Sequence, residues 1–425
     1  MSSGIAERSL TALRERAAAW ASTLGIPTRK HEDWKYTPVG HALEAHAWVP
    51  GQLSSVSEQE LAALLEQDAD QIRVVFINGH FAAELSDLRN AEGLTLSRLA
   101  EDAPAELGTL ASLDKATFPV VAHLGHLEKP AMGYFAAKNT AEFTDGLAIR
   151  VSQGASIDLP IHFIHVADGQ ASASHPRIVV VAEPESKFTL LESYVSRGDG
   201  AQFTNSVVEI TVGSRANIEH IKLQQQNLNS IHVGLTEVKQ AADSTYRNFS
   251  VTFGGRLTRN DLNIFVDGEH AHCRMDGVVC INGDQLADNH TRLDHAKAHC
   301  DTFEVYKHLL DGNAEAVFNG KIFVHQDAQK TDAKQTNQTL LLSPTATMNT
   351  KPQLEIFADD VKCTHGATIG QLREDAMFYL RSRGISEAEA RALLVYAFAA
   401  EVLTEIEHEA TRDRLERMLF TKLGM

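Results

Sequence analysis

Histidine and cysteine side chains are concentrated in one part of this sequence. Nine of them lie between positions 270 and 308: His270, His272, Cys273, Cys280, His290, His295, His299, Cys300 and His308. Imidazole and thiolate together are ligands of zinc and iron–sulfur centres. The segment contains neither CxxC nor HExxH, and on alternating strands half of these side chains would face each side of a sheet. The pattern therefore predicts buried thiols and surface histidines. The alternative is a homodimer that binds iron or a cluster through this segment.

A second pair of donors, Cys363 and His365, is separated by a single threonine. The pair lies between the last predicted strand and the first predicted C-terminal helix. Residues two apart share one face of a strand, so a thiol and an imidazole can converge on one ligand. Two donors do not complete a metal centre, and further ligands must come from another chain or another part of the fold. The spacing alone leaves open a shared half-site and a structural Cys–His pair.

Other catalytic patterns are absent from the sequence. It contains no GxSxG nucleophile elbow, no phosphate-binding P-loop and no GxGxxG after a strand. The adjacent carboxylates Asp359 and Asp360 would point to opposite faces of a strand and could not flank one bond. A carbohydrate-active enzyme on a β-solenoid would need acidic residues on one face, but the candidates are irregularly spaced: Asp261, Asp267, Asp276 and Asp284. We therefore predict no catalytic residue.

The candidate donors lie within a long region that is predicted to form β-strands. From about residue 145 to 366, short runs rich in Val, Ile, Thr and Phe alternate with Gly, Asp and Asn turns, without a helical period between them. This pattern predicts a mainly β core. It does not distinguish among a barrel, a sandwich and a solenoid. Similar turn sequences recur, and an equivalence of Cys273 with Cys300 would give a 27-residue step, compatible with one coil of a solenoid.

Helices are predicted on both sides of this core. At the N-terminus, apolar spacing predicts a helix over residues 6–24, and Ser57 with Glu60 forms a capping box for a helix over 57–67. The apolar run at 74–77 followed by Asn78-Gly79 predicts a hairpin. The predicted domains are therefore 1–144, mostly helical with a small hairpin; 145–366, the β core; and 367–425, helical.

The C-terminal helices show clear boundary signals. Capping boxes are predicted at Thr368 with Gln371 and at Ser386 with Glu389, and Gly384 has the position of a helix C-cap. A third helix is predicted from about 411 to 423. Apolar stripes with a polar rim make these helices a candidate partner-binding surface, through Leu372, Tyr379, Leu380, Arg383, Leu394 and Phe398.

Composition restricts the partners and the compartment. Of 425 residues, 43% are hydrophobic, and 56 acidic residues against 39 basic ones give a formal net charge of −17. This charge disfavours nucleic acid and anionic membrane surfaces as partners. No run approaches the roughly 18 apolar residues of a membrane helix, and no signal peptide is evident. Four cysteines are too few for a disulfide framework, so we expect free thiols and a cytoplasmic protein, with no assigned role for Cys273, Cys280 and Cys300.

Five passages resemble the SufB/SufD family of iron–sulfur cluster assembly scaffolds. They are residues 352–372, which include Cys363 and His365, and residues 378–384, 34–37, 139–146 and 175–181. Within the family the SufD type fits better, because Gly366 stands where SufB-like chains usually have an acidic residue. The resemblance implies a right-handed parallel β-helix between helical terminal domains, and a subunit that is not itself an enzyme.

The resemblance also implies partners and a site. SufD-type chains pair with SufB through the β-helix, and the ATPase SufC binds their C-terminal helices. Clusters are thought to form at the SufB interface, where His365 matches the SufD histidine ligand and Cys363 the neighbouring cysteine. The implied cluster is transient, and no cofactor is held stably by the isolated chain. A flavin is associated with the complex, although no residue here marks its site, and the isolated chain could form a homodimer.

Overall fold

A computed structural model describes residues 10–65, 70–99 and 133–423. The helices lie at the two ends of the chain. They are α1 (Leu10–Leu24), α2 (Val39–Glu44), α3 (Glu58–Leu65), α4 (Gly133–Glu142), α5 (Glu374–Ser382), α6 (Glu387–Leu403) and α7 (Glu409–Lys422), with short 3-10 helices at Glu32–Trp34 and Ala83–Leu85. None of the described helices combines the length and apolar character that a bilayer span requires.

The described residues form twenty-one strands, most of which lie between α4 and α5. They are β1 (Val49–Pro50), β2 (Ile72–Ile77), β3 (His80–Phe81), β4 (Leu94–Arg98), β5 (Gly146–Val151), β6 (Ile161–Ala167), β7 (Ser172–Ser174), β8 (Arg177–Ala182), β9 (Lys187–Ser196), β10 (Gln202–Val212), β11 (Asn217–Gln224), β12 (Ser230–Gln240), β13 (Thr245–Thr252), β14 (Leu257–Val266), β15 (His272–Ile281), β16 (Leu286–His295), β17 (Asp301–Leu310), β18 (Glu315–Val324), β19 (Asp332–Leu341), β20 (Thr347–Ile356) and β21 (Lys362–Gly370).

The strands belong to two sheets, and from β8 onward successive strands alternate between them. Sheet A runs β20-β18-β16-β14-β12-β10-β8-β5-β4, with β7 and β1 attached beside β10, and sheet B runs β21-β19-β17-β15-β13-β11-β9-β6-β2-β3. Pairing is parallel from β5 and β6 onward, and each pair of successive strands forms one coil of a β-solenoid of about eight turns. This confirms the predicted mainly β class and resolves the choice among barrel, sandwich and solenoid.

Alternation along each strand separates an inner from an outer face. On β9, Leu190 and Tyr194 pack in the interior between the sheets, whereas Leu191 packs outward against the C-terminal helices. Burying apolar side chains on both faces requires the outer face to be covered, and α6 supplies this cover over β15 and β17.

The N-terminal segment is held on the outer face of sheet A by a buried cation. The Arg259 guanidinium lies 4.0 Å from the ring centre of Trp34 and donates to the carbonyl of Asp33 at 2.6 Å. It also donates to Asp288 at 2.7 Å and to Asp261 at 2.8 Å. Burial would raise the pKa of Asp288, but the charge of Arg259 lowers it to about 2. Arg259 and Asp288 therefore remain ionised while buried.

Local signals identified several boundaries correctly. The Asn78-Gly79 turn joins β2 to β3 with positive φ at both residues. The Ser57–Glu60 bonds are formed at the start of α3, and a full capping box opens α6 at Ser386. Gly384 ends α5 with a φ of 88°.

Two expectations were wrong. Thr368 does not cap a helix, because β21 continues to Gly370 in register with β19 and α5 begins at Glu374. The 27-residue step placed Cys273 opposite Cys300, whereas Cys273 lies opposite Thr302 and Cys300 is in the preceding turn. In both cases pairing with a neighbouring coil, which a single segment does not reveal, set the boundary.

We expect Arg259→Met to lower the free energy of unfolding by about 3 to 5 kcal/mol, because it leaves the buried carboxylate of Asp288 and the half-buried carboxylate of Asp261 without their cation. Urea titration followed by tryptophan fluorescence measures the change. Arg215→Met is the matched control, since Arg215 pairs with Glu185 at an exposed turn, and it should leave the unfolding midpoint unchanged. An unshifted midpoint for Arg259→Met would mean that apolar contacts alone hold the N-terminal segment.

Candidate functional site: the open end of the solenoid

The two sheets end at β20 and β21. Among the described residues, β20 pairs only with β18 and β21 pairs only with β19. Lys362 donates its backbone N–H to Thr331 of the preceding coil at 2.8 Å. Because N–H groups alternate in direction along a parallel strand, those of Cys363, His365 and Ala367 point to the opposite, unpaired edge. The solenoid thus ends in two strand edges able to accept a further strand.

Side chains at this end are unusually exposed for a strand. Ile369 is 49% exposed and Phe357, just after β20, is 59% exposed. The C-terminal helices do not shield this edge, since α6 lies along β15 and β17 instead. An unpaired edge of this length that also exposes large apolar side chains is typical of a surface covered by another chain.

Cys363 and His365 lie on the inward face of β21. Cys363 is opposite the fully buried Ala333 and packs against the interior cluster, and His365 is opposite the buried Gln335. Because no described coil follows, both point into the opening of the solenoid: Cys363 is half-buried and His365 is exposed. The predicted sharing of one face is therefore present in the structure.

Burial raises the pKa of the Cys363 thiol, and the nearby Asp332 adds to the shift. The thiol is therefore held in its protonated form in the isolated chain at neutral pH. Ligation by sulfur requires loss of that proton, which a bound cation promotes. The imidazole of His365 needs no such change to offer a lone pair when neutral.

The structure disperses the histidine-rich segment. His270 and His299 stack at 5.0 Å on an exposed ridge of turns, and His272 pairs with Asp301 at 2.5 Å beside them. His290 lies on the outer face of sheet A, whereas His295 and His308 are inside the solenoid, where burial lowers their pKa to about 4 and about 3. Within the described ranges, no three His, Cys, Asp or Glu side chains are grouped to hold a metal ion.

The remaining cysteines are buried as free thiols. Cys273 faces the interior, and Cys280 packs under the C-terminal helices, where burial raises its pKa to about 11. The Cys300 thiol donates to the carbonyl of Gly268 at 3.2 Å. These positions agree with the prediction of buried thiols in this segment.

The C-terminal helices are held on sheet B by apolar and ionic contacts. Val395, Ala399 and Leu403 of α6 belong to a cluster with outward side chains of sheet B. Ion pairs surround it: Lys307 with Glu401, Arg274 with Glu405 at 3.2 Å, and Arg247 with Glu407. Helix α6 is therefore fixed to the solenoid.

The six predicted partner-binding residues fall into two groups. Leu372 and Phe398 pack against the cluster under α6, and Leu380 and Leu394 are half-buried. Tyr379 is 57% exposed, with Arg383 lying 5.3 Å from its ring centre. Helix α5 buries none of its own residues.

Phe378 was missed as a candidate surface residue. It is 74% exposed, and it lies beside Tyr379 on α5. In the sequence, Phe378 is an aromatic residue outside the apolar stripe of its helix, and this position indicated that its side chain would be exposed. Together, Phe378 and Tyr379 form an exposed aromatic pair on a helix whose main contact is with α6.

Comparison with known proteins agrees with this architecture. The family model described as "SUF system FeS cluster assembly, SufBD core domain" matches residues 163–398. An iron–sulfur cluster assembly SufBD family protein of Synechocystis is 33% identical over 98% of this chain and 92% of its own length. The iron–sulfur cluster assembly protein SufD of Escherichia coli is 32% identical over 94% of this chain and 89% of its own length. SufD of Bacillus subtilis is 25% identical over 68% of this chain. The chain therefore belongs to the SufBD family of iron–sulfur cluster assembly proteins.

Proposed function

We propose that this chain is a non-catalytic scaffold subunit of the SufD type. It pairs with SufB through the open end of the solenoid, offers His365 and Cys363 to a nascent cluster, and carries the ATPase SufC on its C-terminal helices. The observation that supports this most directly is the location of both donors beside the unpaired edges of β20 and β21.

The unpaired strand edges at the open end favour pairing there, because their backbone groups lack hydrogen-bond partners within the described chain. Each of β20 and β21 presents a row of free backbone N–H and C=O groups that a partner strand can satisfy, and the row of N–H groups is interrupted on β20 at Pro352. A partner with a similar solenoid end matches the strand spacing and covers Ile369 and Phe357. SufB meets this description, and a second copy of this chain can occupy the same edge when SufB is absent.

A shared site follows from the donor set. His365 and Cys363 supply one imidazole and one thiol, and an iron ion in a cluster takes more ligands than these. A docked subunit provides the others, and separating the subunits opens the site so that the cluster can leave. The cluster is thus cargo of the interface, and the four free thiols fit a reducing compartment such as the cytoplasm.

The ATPase contact is assigned to the exposed face of α5. Phe378 and Tyr379 are aromatic side chains exposed to solvent, and Arg383 lies over the ring of Tyr379. Aromatic and arginine side chains dominate the binding energy of protein interfaces. Because α6 is fixed to sheet B, force applied at α5 by an ATPase is transmitted to the solenoid and its open end.

Affinity purification of the tagged chain tests the assignment, and we expect it to recover SufB and SufC together. His365→Ala should keep this complex but lower the yield of reconstituted cluster about tenfold or more, since it removes a ligand. His299→Ala, on the exposed ridge, is the matched control and should retain the wild-type yield. Recovery of neither partner, or equal yields for both variants, contradicts the proposal.

Ala367→Pro removes an N–H from the free edge of β21 without breaking its bonds to β19. We expect it to weaken SufB binding about tenfold or more, measured by isothermal titration. Ala367→Ser keeps the N–H and similar size, and should bind as the wild type does. Equal affinities for the two variants would show that SufB does not use this edge.

Replacing Phe378 and Tyr379 together with alanine should weaken SufC binding about thirtyfold or more, because truncating even one hot-spot aromatic costs about 2 kcal/mol. SufB binding should not change. Leu228→Ala, at a similarly exposed position (56%) elsewhere, should affect neither partner. Surface plasmon resonance with each partner separately measures both, and undiminished SufC binding by the double variant places the ATPase elsewhere.

A further inference from the structure

Three inward side chains form a column that ends at His365. His365 on β21 lies opposite Gln335 on β19, and Gln335 lies opposite Glu304 on β17. Adjacent parallel strands are about 4.8 Å apart, so each side chain is in reach of the next. Gln335 and Glu304 are each 1% exposed. Behind the exposed imidazole there is therefore a buried amide, and behind the amide a buried carboxyl group.

The amide of Gln335 is held in one position. Its Nε2 donates to Glu304 Oε2 at 2.7 Å. Across the interior, Gly320 on β18 leaves the space that the amide fills, since a Cβ at that position would overlap Nε2. Gly320 does not have a positive φ, so the room that it makes, rather than its backbone conformation, is what this site uses.

The amide oxygen is free. Gln335 Oε1 is buried and has no hydrogen-bond partner among the described residues. Because the oxygen and nitrogen of a planar amide point in different directions, the bond from Nε2 to Glu304 turns Oε1 away from that carboxyl group. A buried acceptor without a donor costs about 1 to 3 kcal/mol. The next side chain in the column, His365, is not bonded to this oxygen in the structure, but it carries an N–H that rotation of the exposed side chain can bring to Oε1.

Burying the polar side chains of Gln335 and Glu304 costs desolvation free energy. Burial raises the pKa of Glu304 to about 7, although the hydrogen bond from Gln335 opposes the shift and the charge of Asp276 adds to it. Leucine or methionine would pack at either position without this desolvation. Polar groups retained against such a cost are typical of positions that orient a functional side chain.

We propose that Gln335, held by Glu304 and Gly320, is the positioning residue for His365: its Oε1 accepts a hydrogen bond from one imidazole N–H and directs the other ring nitrogen to the opening. Histidine ligands of metals usually donate their second ring N–H in this way, which fixes the tautomer and the ring orientation. The inference rests on the proposed ligand role of His365 and deepens it. Gln335 itself does not touch the cluster.

The tautomer of His365 in the isolated full chain tests the proposal. Long-range ¹H–¹⁵N spectra of histidine-labelled protein report which ring nitrogen carries the proton, and His365→Ala assigns the signals. We expect one tautomer in the wild type. Gln335→Met, close in size but without the acceptor, and Gln335→Asn, with the amide withdrawn by one methylene, should both give the averaged signals of an imidazole free in water.

Two further variants serve as controls. Glu304→Gln still offers an oxygen to Gln335 Nε2 and should keep the wild-type tautomer. Thr339→Val changes another buried polar residue on the same face of β19 and should also have no effect. In the complex with SufB and SufC, Gln335→Met should lower cluster yield about tenfold or more, whereas both controls remain near the wild type.

Wild-type His365 signals in both Gln335 variants, in protein with an unchanged melting temperature, overturn the proposal. If Gln335→Met does not fold, the milder Gln335→Asn decides the question by the same spectra. The spectra require neither a partner nor a cluster. A tautomer that depends on Gln335, found together with no effect of His365→Ala on cluster yield, therefore refutes the scaffold role and keeps the positioning contact.

Discussion

Parallel backbone pairing in a fixed register is the interaction on which the rest of this structure depends. Each coil presents its hydrogen-bonding groups to the next, so inward side chains stack in columns such as Tyr246, Cys273, Thr302, Ala333 and Cys363. A one-residue slip would turn every inward side chain outward, so register is strongly specified. The same rule leaves the final strands unsatisfied, since no described coil follows them. The site and the unpaired edge are therefore one feature of the fold.

The interior that this pairing creates is partly polar. Glu192 lies 2.5 Å from His220 and accepts from the Tyr194 hydroxyl at 2.5 Å, and His220 bonds Tyr246 at 2.8 Å. Burial would raise the pKa of Glu192, but the bond with His220 and the nearby Lys222 bring it below its ordinary value. Such a network is stable only when each member has its partner, so it reinforces the register of the coils around it. The amide and carboxyl group behind His365 belong to the same polar interior.

Short-range chemistry was readable from the sequence. The Asn78-Gly79 turn, the capping box at Ser386 and the terminal glycine Gly384 each depend on residues within a few positions of one another. The alternation of Cys363 and His365 on one face likewise needs only the period of a strand. The β-rich composition indicated the class of the core, and the resemblance of residues 352–372 to a known family indicated the solenoid.

By itself, therefore, the sequence determined the β-rich character of the core, the Asn78-Gly79 turn, the helix boundaries at Ser57, Ser386 and Gly384, and the pair of donors on one strand face, because these follow from local periodicity and local hydrogen bonds. Only the tertiary structure decided which coils stack. It scattered the histidines of residues 270–308, extended β21 past Thr368, exposed Phe378, and placed Gln335 behind His365. Those outcomes depend on the register between segments about 30 residues apart and on which faces are covered. The energies of such long-range pairing cannot be inferred from any short segment of the sequence.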